Sequence, residues 1–210
     1  MNTQSIALRE AQQPSHIATL MVLLVWFAGV FSLAAQNLFD SSAGQPPLNI
    51  LLSLIIPLIA FVTTYSTSPR FKHYVLNIDM RHLILLHSWR MLGFGFVFLY
   101  FYDVLPALFA FPAGVGDAMA ATFAVFLAIA MYQNKAISKK WIYRWNNFGL
   151  LDFVIAVSLG IMSRTGNIGQ LEGHVASDAM GVLPLVMIPT FIVPFYIITH
   201  IIIYLQLRKN

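Results

Sequence analysis

Six long apolar runs constrain the fold of this sequence more than any other feature. They cover residues 17–35, 48–66, 83–101, 116–132, 148–163 and 182–205. A helix that crosses the hydrocarbon core of a bilayer needs about 20 mainly apolar residues. The strands of a membrane β-barrel would instead alternate apolar and polar positions, which these runs do not do. The sequence therefore predicts an all-α fold, a polytopic transmembrane helical bundle with six spans.

Composition supports a chain that is surrounded by lipid. Hydrophobic residues make up 59% of the 210 residues and charged residues 10%, whereas soluble domains carry about 25% charged residues. The predicted partner is the lipid bilayer, and no nucleic acid is expected, because the net charge of +4 comes from the loops. Cysteine is absent, which excludes disulfides, thiolate metal sites and cysteine nucleophiles.

The cations lie almost entirely in alternate loops. Ten of the 12 Lys and Arg residues precede the first run, follow the last, or lie between the second and third or the fourth and fifth. On the other side Arg164 is accompanied by Asp40, Asp103, Glu172 and Asp178. Because cytoplasmic loops carry an excess of Lys and Arg, this distribution predicts that both termini are cytoplasmic.

The chain divides simply around these spans. Residues 1–16 are predicted to form a cytoplasmic N-terminal segment, 17–206 the transmembrane domain and 207–210 a cytoplasmic tail. The first run is too long for the apolar region of a signal peptide, so it is interpreted as a retained helix. Residues 171–180 are predicted to form a small external turn.

Strongly polar side chains interrupt three of the apolar runs. At about 1.5 Å per residue, Arg90, Asp152 and His200 each lie roughly 6–10 Å from the cytoplasmic end of their spans, and His87 shares a face with Arg90. Because a charge at the centre of a bilayer costs about 2.5–3.5 kcal/mol on insertion scales, we expect Arg90 to pair with Asp152, with the histidines nearby. Two alternatives stay open: Arg90 could extend to the cytoplasmic interface, or the pair could serve packing alone.

Two further polar residues are candidates for the same pathway. Asp117 ends the stretch PAGVGD (112–117), which is interpreted as the start of the fourth helix. The carboxylate would then either cap that helix or face an external vestibule. Asn147 follows Asn146 at the entrance of the fifth span.

Small residues and prolines suggest how the helices pack. Small residues form stripes along the fourth and fifth runs. Because small residues let helices approach closely in lipid, these stripes would permit a homo-oligomer as well as packing within the chain. The prolines of the last run, Pro184, Pro189 and Pro194, predict a kinked or broken sixth helix. The stripe residues are Gly116, Ala120, Ala124, Ala128, Gly149, Ala156 and Gly160.

Four functional hypotheses follow, and the first is preferred. The intramembrane Asp, Arg and His residues are typical of a transporter or channel for a small solute or ion, coupled to protons. His87 and His200 could instead ligate a b-type haem in a redox protein, although the sequence by itself predicts no cofactor. An intramembrane enzyme could use His87, Asp152 and His200 as metal ligands or acid–base groups. The fourth is an accessory or assembly protein. A non-enzymatic role is favoured over an enzymatic one.

Three stretches carry a family resemblance. They are PAGVGD (112–117), WNNFGLLD (145–152) and PTFIVPFYIITH (189–200), with WRMLGFGF (89–96) less specific. Residues 83–205 resemble a family of uncharacterised small bacterial inner-membrane proteins. The resemblance implies a six-helix membrane fold in the bacterial cytoplasmic membrane, and it implies no activity.

Overall fold

The computed structural model describes residues 16–42, 44–166 and 175–209. Within these ranges the chain is all-helical, and six of its helices are long and apolar enough to cross a membrane. The predicted six-span, all-α architecture is confirmed. The helices are α1 (His16–Ala35), α2 (Leu48–Thr67), α3 (Pro69–Leu76), α4 (Met80–Phe101), α5 (Ala107–Tyr132), α6 (Lys139–Met162) and α7 (Ile188–Lys209).

Two of the spans contain irregular turns. In α4 the residues His87–Phe94 form a 3-10 helix between two α-helical segments. Helix α7 begins with a π-helical turn, Ile188–Ile192, which includes Pro189. The predicted break in the last span is therefore present at its start, and α7 begins six residues later than the apolar run because residues 183–186 form turns.

The predicted start of the fourth span is wrong. Helix α5 begins at Ala107, directly after Pro106, so PAGVGD lies inside the helix and Pro112 is an interior proline. An interior proline removes one backbone hydrogen bond, and membrane helices tolerate it because neighbouring groups satisfy the freed carbonyl. Asp117 consequently lies in the middle of a 26-residue helix, so its carboxylate does not cap the helix start.

The sequence analysis did not predict the short helix α3. Ser68 caps its first turn by accepting a hydrogen bond from the Phe71 backbone amide at 3.3 Å, and Pro69 occupies the first helical position. Both choices are typical of a helix start. Across the bundle, Gln206 of α7 donates hydrogen bonds of 2.9 Å to the carbonyls of Val75 and Ile78. The Val75 carbonyl lies in the last turn of α3, where it lacks a partner within the helix, and Ile78 lies two residues beyond the helix end, so Gln206 holds this end of α3 against the bundle.

Replacing Gln206 by leucine should detach this end of α3. The two carbonyls would lose their donor, and a buried acceptor without a partner costs about 1–3 kcal/mol. We expect a loss of that size in the free energy of unfolding, measured by denaturation in mixed micelles. Gln133→Leu is the matched control because Gln133 is exposed at the end of α5. Equal losses in the two variants would contradict the assigned role of Gln206.

Helix α4 begins with an acidic cap. The Asp79 carboxylate accepts a hydrogen bond from the Arg81 backbone amide at 2.9 Å and pairs with the Arg81 guanidinium at 2.6 Å. Hydrogen bonds from that guanidinium lower the pKa of the Asp79 carboxyl. We call the end of the bundle that carries Arg81, Lys139 and Arg208 the basic end.

The small residues of α5 pack within the chain. Ala120, Ala124 and Ala128 are fully buried, and the Ala120 carbonyl accepts a hydrogen bond from the Trp145 indole of α6 at 2.9 Å. Gly160 of α6 lies against Phe109 of α5. The predicted stripes thus join helices of one chain, and these residues of α5 are not free to pair with a second copy.

The outer faces of the bundle are apolar. Large side chains such as Val25 and Leu92 are each 73% exposed, as expected of a surface that faces hydrocarbon. The predicted segment 1–16 lies outside the described residues except for His16, and of the predicted external turn only residues 175–180 are described. There, Ser177–Gly181 form a 3-10 turn.

Candidate functional site

The 3-10 segment of α4 aligns the polar residues of the site. A 3-10 helix has 3.0 residues per turn, so side chains three positions apart lie directly above one another. His87, Arg90 and Gly93 have this spacing, and they form one line that faces the bundle interior. His87 is 0% exposed and Arg90 3% exposed. The alternative in which Arg90 extends to the cytoplasmic interface is therefore wrong.

Arg90 holds together four neighbouring groups. Its Nε donates to Asp117 Oδ1 of α5 at 2.7 Å, and its Nη2 donates to Asp152 Oδ2 of α6 at 2.5 Å. Its Nη1 lies 3.2 Å from His200 Nε2 of α7 and 3.5 Å from the Gly149 carbonyl oxygen. The expected Arg90–Asp152 contact is confirmed, and Asp117 joins it as a second carboxylate. We call Arg90, Asp117, Asp152 and His200 the polar cluster.

Three glycines form the walls around the polar cluster. A Cβ atom at Gly93 would collide with the Asp117 carboxylate, and a Cβ at Gly116 would collide with that of Asp152. A Cβ at Gly149 would lie 2.5 Å from His200 Nε2 and 2.9 Å from Arg90 Nη1. Each glycine therefore leaves room for the side chain of a neighbouring helix, which explains why the polar groups can meet so deep in the bundle.

The hydrogen bonds define the neutral tautomer of His200. The amide nitrogen of Asn146 donates to the His200 backbone carbonyl at 3.2 Å, which leaves Asn146 Oδ1 as the acceptor for His200 Nδ1 at 2.8 Å. A proton on Nδ1 makes Nε2 the acceptor for Arg90, which can only donate. Asn146 is thus the residue that orients His200.

His87 lies on the basic-end side of the polar cluster. Thr199 Oγ1 donates to the Tyr196 carbonyl at 2.8 Å, so it accepts a hydrogen bond from His87 Nε2 at 3.0 Å. The ring centroids of His87 and His200 are 4.1 Å apart, and the ring of Trp145 packs against both. His87 Nδ1 is buried without a hydrogen-bond partner among the described residues.

The structure brings together most of the sequence-predicted site. Arg90, Asp152, His87 and His200 meet, and Asp117 joins them from inside α5. Asn147 does not, because it is exposed and the adjacent Asn146 occupies the interior position. Sequence reasoning also missed Thr199 and Gly93, and it assigned Gly116 and Gly149 to helix packing rather than to the walls of the site. The spacing of Gly93 three residues after Arg90 was the available signal, because residues three apart share a face of a helix.

The residues do not fit a haem between the two histidines. The rings contact each other directly, and both Nε2 atoms are engaged, by Thr199 and by Arg90. An iron porphyrin needs both atoms as ligands and space between the rings. Among the described residues there is also no group of three His, Asp or Glu side chains arranged to hold a metal ion.

Two cavities meet at Asp117. The larger, about 350 Å³, lies between α4 and α7 and is lined by Trp89, Arg90 and Tyr196 together with apolar residues. The smaller, about 70 Å³, extends from Asp117 toward Arg164 and Ser177, at the end opposite the basic end. On the basic-end side, the packed rings of His87, His200 and Trp145 close the polar cluster.

Fold and site together define a class: a six-span helical membrane protein with a buried polar cluster beside a cavity. The chain belongs to the family defined by a domain of unknown function (DUF8737), whose model matches residues 46–208. No curated protein and no solved structure matches the chain. The match confirms an uncharacterised family, and it includes α2, which the sequence-based resemblance had left out. Helix α1 precedes it.

Proposed function

We propose that the chain is a proton-coupled transporter for a small solute in the bacterial cytoplasmic membrane. One observation carries this proposal: a single buried guanidinium is shared by two aspartates, Asp117 and Asp152, that come from different helices. The excess of cations at one end of the bundle supports an orientation with the basic end and both termini in the cytoplasm.

The charge balance of the polar cluster supports a proton site. One guanidinium neutralises one carboxylate, so the second carboxylate leaves a net negative charge when both are ionised. An uncompensated charge inside a membrane is costly. A proton shared by the two carboxylates, or a bound cation, would remove it. Because both carboxylates contact the same guanidinium, they titrate as a pair rather than separately.

The surroundings of the polar cluster support alternating access. Asp117 borders both cavities, and its side chain is 15% exposed, whereas that of Asp152 is 6% exposed. The rings of His87, His200 and Trp145 close the path to the basic end. This arrangement corresponds to one state of a carrier, in which the coupling site is reached from one side only.

The irregular helices support a moving element. The 3-10 segment of α4 carries Arg90, and the π-helical turn of α7 precedes His200 by two turns of helix. Such irregular turns inside helices often mark functional hinges, and transporters commonly build their sites on broken helices. A change of the α4 segment between 3-10 and α-helix would rotate Arg90 relative to the two carboxylates.

Removing either carboxylate should abolish proton binding by the pair. Infrared difference spectra of the reconstituted protein between acidic and alkaline buffer should contain a carboxylic acid C=O band, and Asp152→Asn or Asp117→Asn should remove or shift it. In wild-type proteoliposomes that contain a pH-sensitive dye, added solutes should dissipate a pH gradient across the membrane. Asp152→Asn should abolish this dissipation.

Asp103→Asn is the matched control for these substitutions. Asp103 is exposed at the end of α4 and has a left-handed backbone, φ 55°, which asparagine tolerates. Its spectrum and fluxes should equal those of the wild type. An unchanged carboxylic acid band in both Asp117→Asn and Asp152→Asn would exclude the pair as a proton site. If these two variants failed to fold and the wild type had no carboxylic acid band that changes with pH, the polar cluster would instead be assigned to packing.

A further inference from the structure

The larger cavity opens sideways, between the 3-10 segment of α4 and the π-helical turn of α7. Its lining includes Trp89, Leu92 and Ile192, which are 67%, 73% and 38% exposed. These side chains belong to the apolar outer face of the bundle, so the opening faces the hydrocarbon of the bilayer. A volume of about 350 Å³ is in the range of small-molecule sites, roughly 300–1,000 Å³. We call this cavity the lateral crevice.

The inner end of the lateral crevice presents a carboxylate. Asp117 uses Oδ1 for the hydrogen bond to Arg90, and its Oδ2 lies against the Cα of Gly93, another lining residue. No described residue donates a hydrogen bond to Oδ2. The Arg90 side chain also borders the crevice, but it is 1% exposed, and its N–H groups point to Asp117, Asp152 and His200.

The remaining lining is rich in aromatic rings. Cations bind favourably over the faces of aromatic rings, and this attraction grows when water is excluded. Phe153 already lies against the Arg90 guanidinium, 4.0 Å from its ring centroid. The other rings favour a cation in the crevice, as the Asp117 carboxylate does at its inner end, while the apolar walls favour a hydrophobic body. The aromatic residues are Trp89, Phe96, Phe153, Phe191, Phe195 and Tyr196.

We propose that the lateral crevice binds a lipophilic monocation, which enters from the bilayer between α4 and α7 and replaces the proton of the Asp117–Asp152 pair. This inference rests on the proposed function and specifies its substrate class. The cation would neutralise the net charge of the polar cluster, as the proton does. The cation and the proton could then not occupy the carboxylate pair at the same time. Movement of the cation across the membrane in one direction would therefore be coupled to movement of the proton in the other.

The competition with protons depends on every titratable group that faces the pair. Apart from Arg90, these groups are imidazoles and a phenol from α4 and α7, and they are neutral in the hydrogen-bonding pattern of the structure. The proton that competes with the cation is therefore the one shared by the two carboxylates. The facing groups are His87 and Arg90 from α4, and Tyr196 and His200 from α7.

The test uses two ions of the same shape and opposite charge, tetraphenylphosphonium and tetraphenylborate. Neither ion can lose a proton, so any pH dependence reports on the protein. Isothermal titration calorimetry of the purified full chain in mild detergent should detect binding of tetraphenylphosphonium and none of tetraphenylborate. At pH values where the pair is protonated, the affinity should fall by about tenfold for each unit by which the pH is lowered. In that range about one proton should be released for each cation bound.

Matched substitutions separate the site from general effects. Asp117→Asn should weaken tetraphenylphosphonium binding by about 100-fold or more, because the carboxylate charge is lost in a desolvated site. Trp89→Ala should weaken it by roughly tenfold, and since Trp89 is 67% exposed this variant should fold normally. Asp103→Asn and Trp141→Ala are the controls, because both residues are exposed and lie away from the crevice.

The outcomes distinguish this inference from the proposed function. Equal binding of tetraphenylborate would overturn it, because the crevice would then bind apolar bodies regardless of their charge. Unchanged affinity in Trp89→Ala and Asp117→Asn would overturn the location. No binding of tetraphenylphosphonium by the folded wild type would overturn the substrate class, and the infrared signal of the carboxylate pair would still decide on the proton site.

Discussion

Replacing Arg90 by methionine is expected to destabilise the bundle more than any other single substitution of the polar cluster. Methionine fills a similar volume, but Asp117 and Asp152 would be left without their shared guanidinium. Removing one partner of a buried ion pair costs about 3–5 kcal/mol, because the remaining charge is uncompensated. We expect a loss of that size in the free energy of unfolding, measured by denaturation in mixed micelles.

The reason for this loss can be tested separately from its size. A triple variant, Arg90→Met with Asp117→Asn and Asp152→Asn, removes the uncompensated charges and should recover most of the lost stability, but not proton binding. Arg144→Met is the matched control, since Arg144 is exposed near the basic end of α6. If Arg90→Met and Arg144→Met were equally stable, the polar cluster would not contribute to folding.

Replacing Gly149 by alanine is expected to disrupt the polar cluster from the opposite side. The added Cβ would lie 2.5 Å from His200 Nε2 and 2.9 Å from Arg90 Nη1, and these two atoms are hydrogen-bonded to each other. Forcing extra volume into a packed interior costs about 1–3 kcal/mol, which exceeds the gain in helix propensity of about 1 kcal/mol. We expect a net loss of stability and a weaker Arg90–His200 contact.

The same helix offers the control for this substitution. At Gly160 of α6 an added Cβ would lie 3.4 Å from Phe109 Cε2, an ordinary contact, so Gly160→Ala should be neutral or slightly stabilising. Thermal denaturation in one detergent measures both variants, and nitrogen NMR of the histidine side chains reports whether His200 keeps its tautomer. A Gly149→Ala protein as stable as Gly160→Ala would contradict the close packing of Gly149.

Shared depth in the membrane was enough to predict one contact of the site. Arg90 and Asp152 lie on different helices at similar distances from the same end, and the cost of isolated charges in lipid makes their pairing favourable. The same reasoning failed for Asp117, because the glycines and proline of PAGVGD were interpreted as a turn. In lipid those residues continue the helix, which places Asp117 in its middle.

The choice between Asn146 and Asn147 shows a second limit of such reasoning. Adjacent residues on an α-helix point about 100° apart, so only one of the two can reach His200. Which one depends on the rotation of α6, and that rotation is set by the packing of Trp145 and Gly149 against neighbouring helices. The sequence contains both asparagines and no local signal that separates them.

The sequence by itself determined the class of the protein and the number of its spans. These properties follow from the length and hydropathy of single segments, because each membrane helix satisfies its own backbone hydrogen bonds. Only the tertiary structure decided the site: the 3-10 alignment of His87, Arg90 and Gly93, the second carboxylate, and the lateral crevice. These features depend on how helices rotate and approach one another, which no single segment encodes.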